Sequence, residues 1–160
     1  MRKMIIAGLM TLSFLQIGCT DKKIEPISVI EACKIAIDAT FSFDNALNDG
    51  DTLFLKLPKE LNLNENDKFL ILNCVKEKYE MRFIISFYDF QTIKENLTPE
   101  HPNLKNFIIG VSKIQYKNRK TVVVESFKYK GMLGAVYVET VFEYIENRWI
   151  CNGSKITSMS

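Results

Sequence analysis

Two kinds of patterning divide the chain. Ile30, Cys33, Ile37 and Phe41 recur at three- and four-residue spacing, which lines one face of a helix, and Pro26 suits a first helical turn. The pattern predicts a helix from about Pro26 to Ala39, with Ala46 as its outer limit before Asn48-Asp49-Gly50-Asp51 stops it. Leu53, Leu55 and Leu57 then alternate with Phe54 and Lys56 in a short extended piece ended by Pro58. Asn64 is a good cap, Glu65 and Asp67 make an acidic first turn, and Lys76 and Lys78 sit where cations suit the helix dipole. A second helix is therefore expected from Glu65 to Lys78, with a buried strand over Phe69 to Val75 as the competing assignment.

From Met81 onward the residues are those of a sheet. Phe83 to Phe90 is aromatic and β-branched, and a loop with two prolines, Thr98 to Asn103, follows. Hairpin strands are expected over Phe107 to Tyr116, Thr121 to Lys130, Ala135 to Ile145 and Arg148 to about Thr157, joined by Lys117-Asn118-Arg119-Lys120, Gly131-Met132-Leu133-Gly134 and Glu146-Asn147. In the third of these strands Val136, Val138, Phe142 and Tyr144 share one face, and Glu139 and Glu143 the other. The expected fold class is α+β, with N-terminal helices packed on the apolar face of a four- to five-stranded antiparallel meander.

The N-terminus carries a different signal. Met1-Arg2-Lys3 is a short basic region, Met4 to Ile17 is apolar and uncharged, and Gly18-Cys19 ends it. This is the pattern of a secretory signal peptide, too short for the ~20 apolar residues of a membrane-crossing helix. Leu15-Gln16-Ile17-Gly18-Cys19 resembles a bacterial lipobox, although Gln16 stands where Leu is usual. The resemblance implies cleavage after Gly18 and diacylation of Cys19. An ordinary cleavage site, with Gln16 and Gly18 as the small residues, and an unlipidated secreted Cys19 are the alternatives. The expected organisation is residues 1–18 as lipoprotein signal peptide, 19–25 as tether and 26–160 as one domain.

That division changes the meaning of the charge. The whole chain is 25% charged with a net charge of +2. Removing Arg2 and Lys3 leaves 19 basic residues against 19 acidic ones, a neutral protein. Nucleic-acid binding, which shows as a basic domain, is not expected. Hydrophobic residues at 47% of the chain exclude a disordered protein, and 142 residues suffice for a stable core without metal or bridges.

Candidate chemistry is sparse. His101 is the one histidine, so any Ser-His-Asp, Cys-His or two-histidine metal site would depend on it. Cys33, Cys74 and Cys151 remain once Cys19 is acylated; they allow one bridge in three ways and form no Cys-x-x-Cys pair. Asp44, Asp49 and Asp51 flank Gly50, but a calcium-loop frame puts Leu47 and Lys56 at ligand positions, so a helix end and turn is the better reading. Gly131 and Gly134 match no phosphate-binding motif. Trp149, Tyr137, Tyr129, Phe127 and Tyr116 crowd the sheet, as core packing or as the lining of a groove.

The last third of the chain has a more specific likeness. Ser112-Lys113-Ile114 with Asn118, Val122 to Val124, Gly131 to Gly134, Phe142, Tyr144, the turn before Trp149 and the closing Ser-Met-Ser resemble the C-terminal hairpins of small uncharacterised lipoproteins of Gram-negative bacteria. The resemblance implies no activity. The expectation is a lipid-anchored protein of the outer membrane or cell surface that binds an envelope protein partner, uses no cofactor and is not an enzyme. Two alternatives are a pocketed cone of nuclear-transport-factor-like shape, which would use Asp44, Asp89 or His101, and an immunity lipoprotein.

Overall fold

The computed structural model describes residues 24–88, 106–130 and 134–160. Cys19, the signal peptide, most of the tether, Asp89, His101 and Gly131 to Leu133 lie outside them. The order of elements is α1 (Val29–Ser42), β1 (Thr52–Lys56), α2 (Glu65–Tyr79), β2 (Ile84–Phe87), β3 (Asn106–Asn118), β4 (Thr121–Tyr129), β5 (Ala135–Ile145) and β6 (Arg148–Met159).

Both helices form where their caps allow. Ser28, not Pro26, opens α1: its side chain accepts the backbone N–H of Glu31, and Pro26 lies two residues before this cap. The helix ends at Ser42, short of Ala46, because Asp44 takes a left-handed conformation (φ 47°) and starts a 3-10 turn over Asn45–Asn48. In α2, Asn64 and Asp67 satisfy each other's backbone N–H groups in a capping box, which settles the segment as helix rather than strand. Its buried face is Ile71, Leu72, Val75 and Tyr79, whereas Phe69 is exposed.

The fold is α+β, and the sheet departs from the expected meander. It has six strands in the order β2-β1-β3-β4-β5-β6. β3 to β6 form an antiparallel meander at the expected positions, but β1 runs parallel to both β2 and β3. The reason is topological. α2 connects β1 to β2 as a crossover, and a crossover returns the chain in the same direction. Gly110 fixes the junction between the two halves: it pairs with Lys56, and a Cβ there would run into the Lys56 carbonyl.

One face of the sheet packs against both helices. Phe41 and Ile37 of α1, Val75 and Tyr79 of α2, and Leu53, Leu55, Phe107, Ile109, Val111, Val122, Val124 and Phe142 of the sheet form one continuous core. Phe41 stacks on Tyr79 at 4.2 Å between ring centres and meets Phe83 edge-on at 5.9 Å. Inside this apolar layer, Thr40 and Ser126 share a 2.6 Å hydrogen bond, and Thr40 also donates to the Ala36 carbonyl. At the far margin β6 has, among the described residues, only β5 as neighbour, and its register shifts twice, near Tyr137/Val138 and Val141/Phe142. Gly153, at φ 121°, lies at the second of these.

Candidate functional site

The meander brings its two short turns to one end of the sheet. Lys120 accepts the backbone N–H of Tyr144 at 2.8 Å, which fastens the β3–β4 turn beside the end of β5. Asn118 tightens that turn by accepting the Lys120 backbone N–H at 2.7 Å. The β5–β6 turn is tighter still, with Glu146 (φ 49°) and Asn147 (φ 65°) both left-handed, as a two-residue type I′ hairpin requires. Asn tolerates this conformation, but Glu is strained in it.

Between these turns lies an open cleft of about 840 Å³. Its apolar wall is Tyr116, Tyr144 and Trp149; Trp149 meets Tyr144 edge-on at 5.4 Å and Tyr116 at 6.3 Å between ring centres. Arg119 and Lys120 come from one turn, Glu146 and Asn147 from the other. The remaining wall is Ile24, Glu25 and Pro26, the segment by which the chain enters the fold. The Trp149 indole donates to the Glu25 carbonyl at 2.8 Å, so the ring both lines the cleft and holds the incoming chain. Tyr116 is half exposed, and Arg119, Lys120, Glu146 and Arg148 are exposed and form no ion pair among the described residues.

The aromatic residues of the sheet thus divide into two groups. Tyr116, Tyr144 and Trp149 stand on the helix-facing side, whereas Phe127 and Tyr137 pair across β4 and β5 on the opposite side, 6.4 Å apart, with Tyr129 beyond them. Tyr144 joins the cleft although its position in the alternation points to core.

The opposite end of the sheet holds the other polar cluster. Lys128 is fully buried, and its ammonium donates to the carbonyls of Phe41, Phe43 and Asp44 and to Asn48 Oδ1. It therefore caps α1, whose last turn has no basic residue of its own. Lys130, two positions on, donates to the Asp49 carbonyl and pairs with the Asp49 carboxylate at 3.8 Å. Burial pushes the Lys128 ammonium down to about 8, against the pull of Asp44. The acidic loop after α1, weighed as a cation site, receives its positive charge from these two lysines.

The three cysteines are free and separate: Cys33 is buried, Cys74 partly so and Cys151 exposed. Burial pushes the Cys33 thiol up to about 12. The space between α1 and the sheet, where a cone-shaped pocket would open, is filled by Ile37, Phe41, Val122, Val124 and Phe142. Asp44 lies on the loop beyond it, accepting the Ala46 backbone N–H.

The chain matches no protein-family model, no curated protein and no solved structure. The functional reading therefore rests on the residues themselves.

Proposed function

We propose that the protein is a lipid-anchored binding module of the bacterial cell envelope, exported by residues 1–18 and held on the membrane through Cys19, whose working surface is the Trp149 cleft. One observation carries the reading. The Trp149 indole clasps the Glu25 carbonyl at the mouth of the cleft, so the binding surface and the tether meet at the same end of the fold. Edge-to-face rings beside exposed cations and carboxylates make a surface suited to recognition: stacking area, hydrogen-bond donors and charges, with room for one bound group. The likeness of the last third of the chain to Gram-negative lipoproteins, and the Gly18-Cys19 pattern, favour the same setting. An outer-membrane or surface location and non-catalytic action belong to this proposal.

Two measurements on the native envelope test it. Labelled palmitate is expected on the wild type and not on Cys19→Ala, which leaves the membrane fraction. A photo-cross-linker at position 116 is expected to capture a component of the envelope that the same probe at position 137, on the other face, does not. Equal capture from both positions would refute the cleft as the working surface, and a membrane-bound, unlabelled wild type would refute the anchor.

A further inference from the structure

We infer that what the Trp149 cleft and its two flanking turns meet is the layer of anionic phospholipid headgroups of the membrane itself. The inference deepens the proposed function and rests on its lipid anchor for the direction in which the molecule faces.

Reach is the first ground. Six residue steps separate Cys19 from Glu25, so a fully extended tether spans at most about 20 Å. An acylated Cys19 therefore keeps the end of the fold that holds Glu25 close to the bilayer, and the Trp149 hydrogen bond fixes Glu25, the end of that leash, at the cleft. Residue type is the second. Trp and Tyr combine an apolar ring with a polar tip and settle at headgroup level, and here Tyr116, Tyr144 and Trp149 stand together at that end.

Charge is the third. Arg119 and Lys120 line the cleft against Glu25 and Glu146, and Lys117 and Arg148 are exposed at the same two turns on the other side of the sheet, so this end as a whole carries an excess of two positive charges on a mature chain that is neutral overall. The far end of the fold has no such excess, because Lys128 and Lys130 are buried against the carbonyls of the Phe41–Asp49 segment. Exposed Arg82 at that end stands beside Asp49, so the excess of exposed positive charge lies at the tether end. Near an anionic surface each Lys or Arg strengthens binding about fivefold, so two uncompensated charges give roughly a 25-fold preference.

Trp149 is the one tryptophan of the chain, which makes it a built-in reporter. The acylated protein, purified from membranes, is reconstituted on phosphatidylcholine vesicles with and without phosphatidylglycerol, each carrying a lipid brominated near the headgroup. Trp149 emission is expected to be quenched strongly with phosphatidylglycerol, weakly without it, and less as salt rises. Arg119→Glu/Lys120→Glu, two exposed turn substitutions, should lose most of the phosphatidylglycerol-dependent quenching while the circular dichroism stays unchanged. Equal quenching of wild type and variant would overturn the inference, as would none with phosphatidylglycerol. A Trp149 response to soluble cell-wall glycan or peptide fragments but not to vesicles would overturn it in favour of a different ligand. Mass measurement of Cys19 separates the two failures: missing acyl chains refute the anchor, whereas acylated protein without quenching refutes the headgroup contact.

Discussion

Replacing Lys128 with Met keeps most of the stem that packs in the core and deletes the ammonium. Three protons are then lost to four oxygens: the carbonyls of Phe41, Phe43 and Asp44 and Asn48 Oδ1. Phe41 keeps a donor, because Asn48 Nδ2 bonds it at 2.9 Å, and the Phe43 and Asp44 carbonyls are close enough to the surface to take water. Asn48 Oδ1 is left buried. Three hydrogen bonds from a charged donor are worth about 6 kcal/mol together, and relief from burying the cation returns about 3 kcal/mol. The expected loss at pH 7 is therefore about 3 kcal/mol, or a fall in Tm of about 10 °C for a domain of this size. Urea unfolding followed by both circular dichroism and Trp149 emission measures it.

The pH dependence supplies a second check on the same residue. Lys128 is depressed from 10.5 to about 8. Below pH 8 both the folded and the unfolded chain hold its proton; between about pH 8 and 10.5 the unfolded chain binds a proton that the folded chain has released. Stability from this group rises with pH across that window, by up to about 3 kcal/mol. Cys33 acts in the opposite sense, since a thiol raised from 9.0 to about 12 contributes stability that is present below pH 9 and lost above it. The difference between wild type and Lys128→Met cancels Cys33 and should widen from pH 8 to 10. A loss under about 1 kcal/mol at pH 7, or a difference that does not widen, would refute the reasoning.

Gly110→Ala places a methyl group against the Lys56 carbonyl, and a loss of about 2–3 kcal/mol in urea unfolding is expected from the forced parting of β1 and β3. Glu146→Asn relieves a left-handed Glu and should stabilise the fold by about 0.5–1 kcal/mol; a destabilised variant would mean that the Glu side chain is needed in the turn. Ellman's reagent should modify Cys151 at once and Cys33 only on unfolding, and acylated protein in denaturant should yield three thiols rather than four.

What was legible in the sequence was what local pattern dictates. The β3–β6 meander follows from alternation and from turn residues a few positions apart, and α2 follows from Asn64 and Asp67, whose capping box is local in the chain. The parallel pairing of β1 was not legible. Strands of five and four residues give little periodicity, and the direction in which Leu53 meets Ile85 and Phe107 depends on α2 and not on the strands themselves. The lysine caps do have a signal in the sequence. Val122, Val124, Ser126 and Lys128 continue one alternation, so a lysine was due on the buried face and needed acceptors there. The cleft is half visible in the sequence: Tyr116 and Trp149 stand out among the aromatics of the sheet, whereas Lys117 to Lys120 read as a hairpin connection and Tyr144 shares the face of Val136, Val138 and Phe142. Only the pairing of Tyr144 with Trp149 and of Tyr116 with Val122 brings the rings together.

The shape of β6 bears on how many copies can share one surface. Proteins confined to a plane meet far more often than the same number in solution, and they meet side by side, which is the approach that joins one sheet to the next. A straight, twelve-residue margin would be a template for such joining. The two register shifts in β6 and its left-handed Gly153 break its outer row of N–H and C=O groups into short, misaligned pieces, and the Lys155–Glu139 ion pair stands in the middle. If the proposed anchor crowds copies on a membrane, such an edge is a poor template for joining sheet to sheet, and filament growth is not expected.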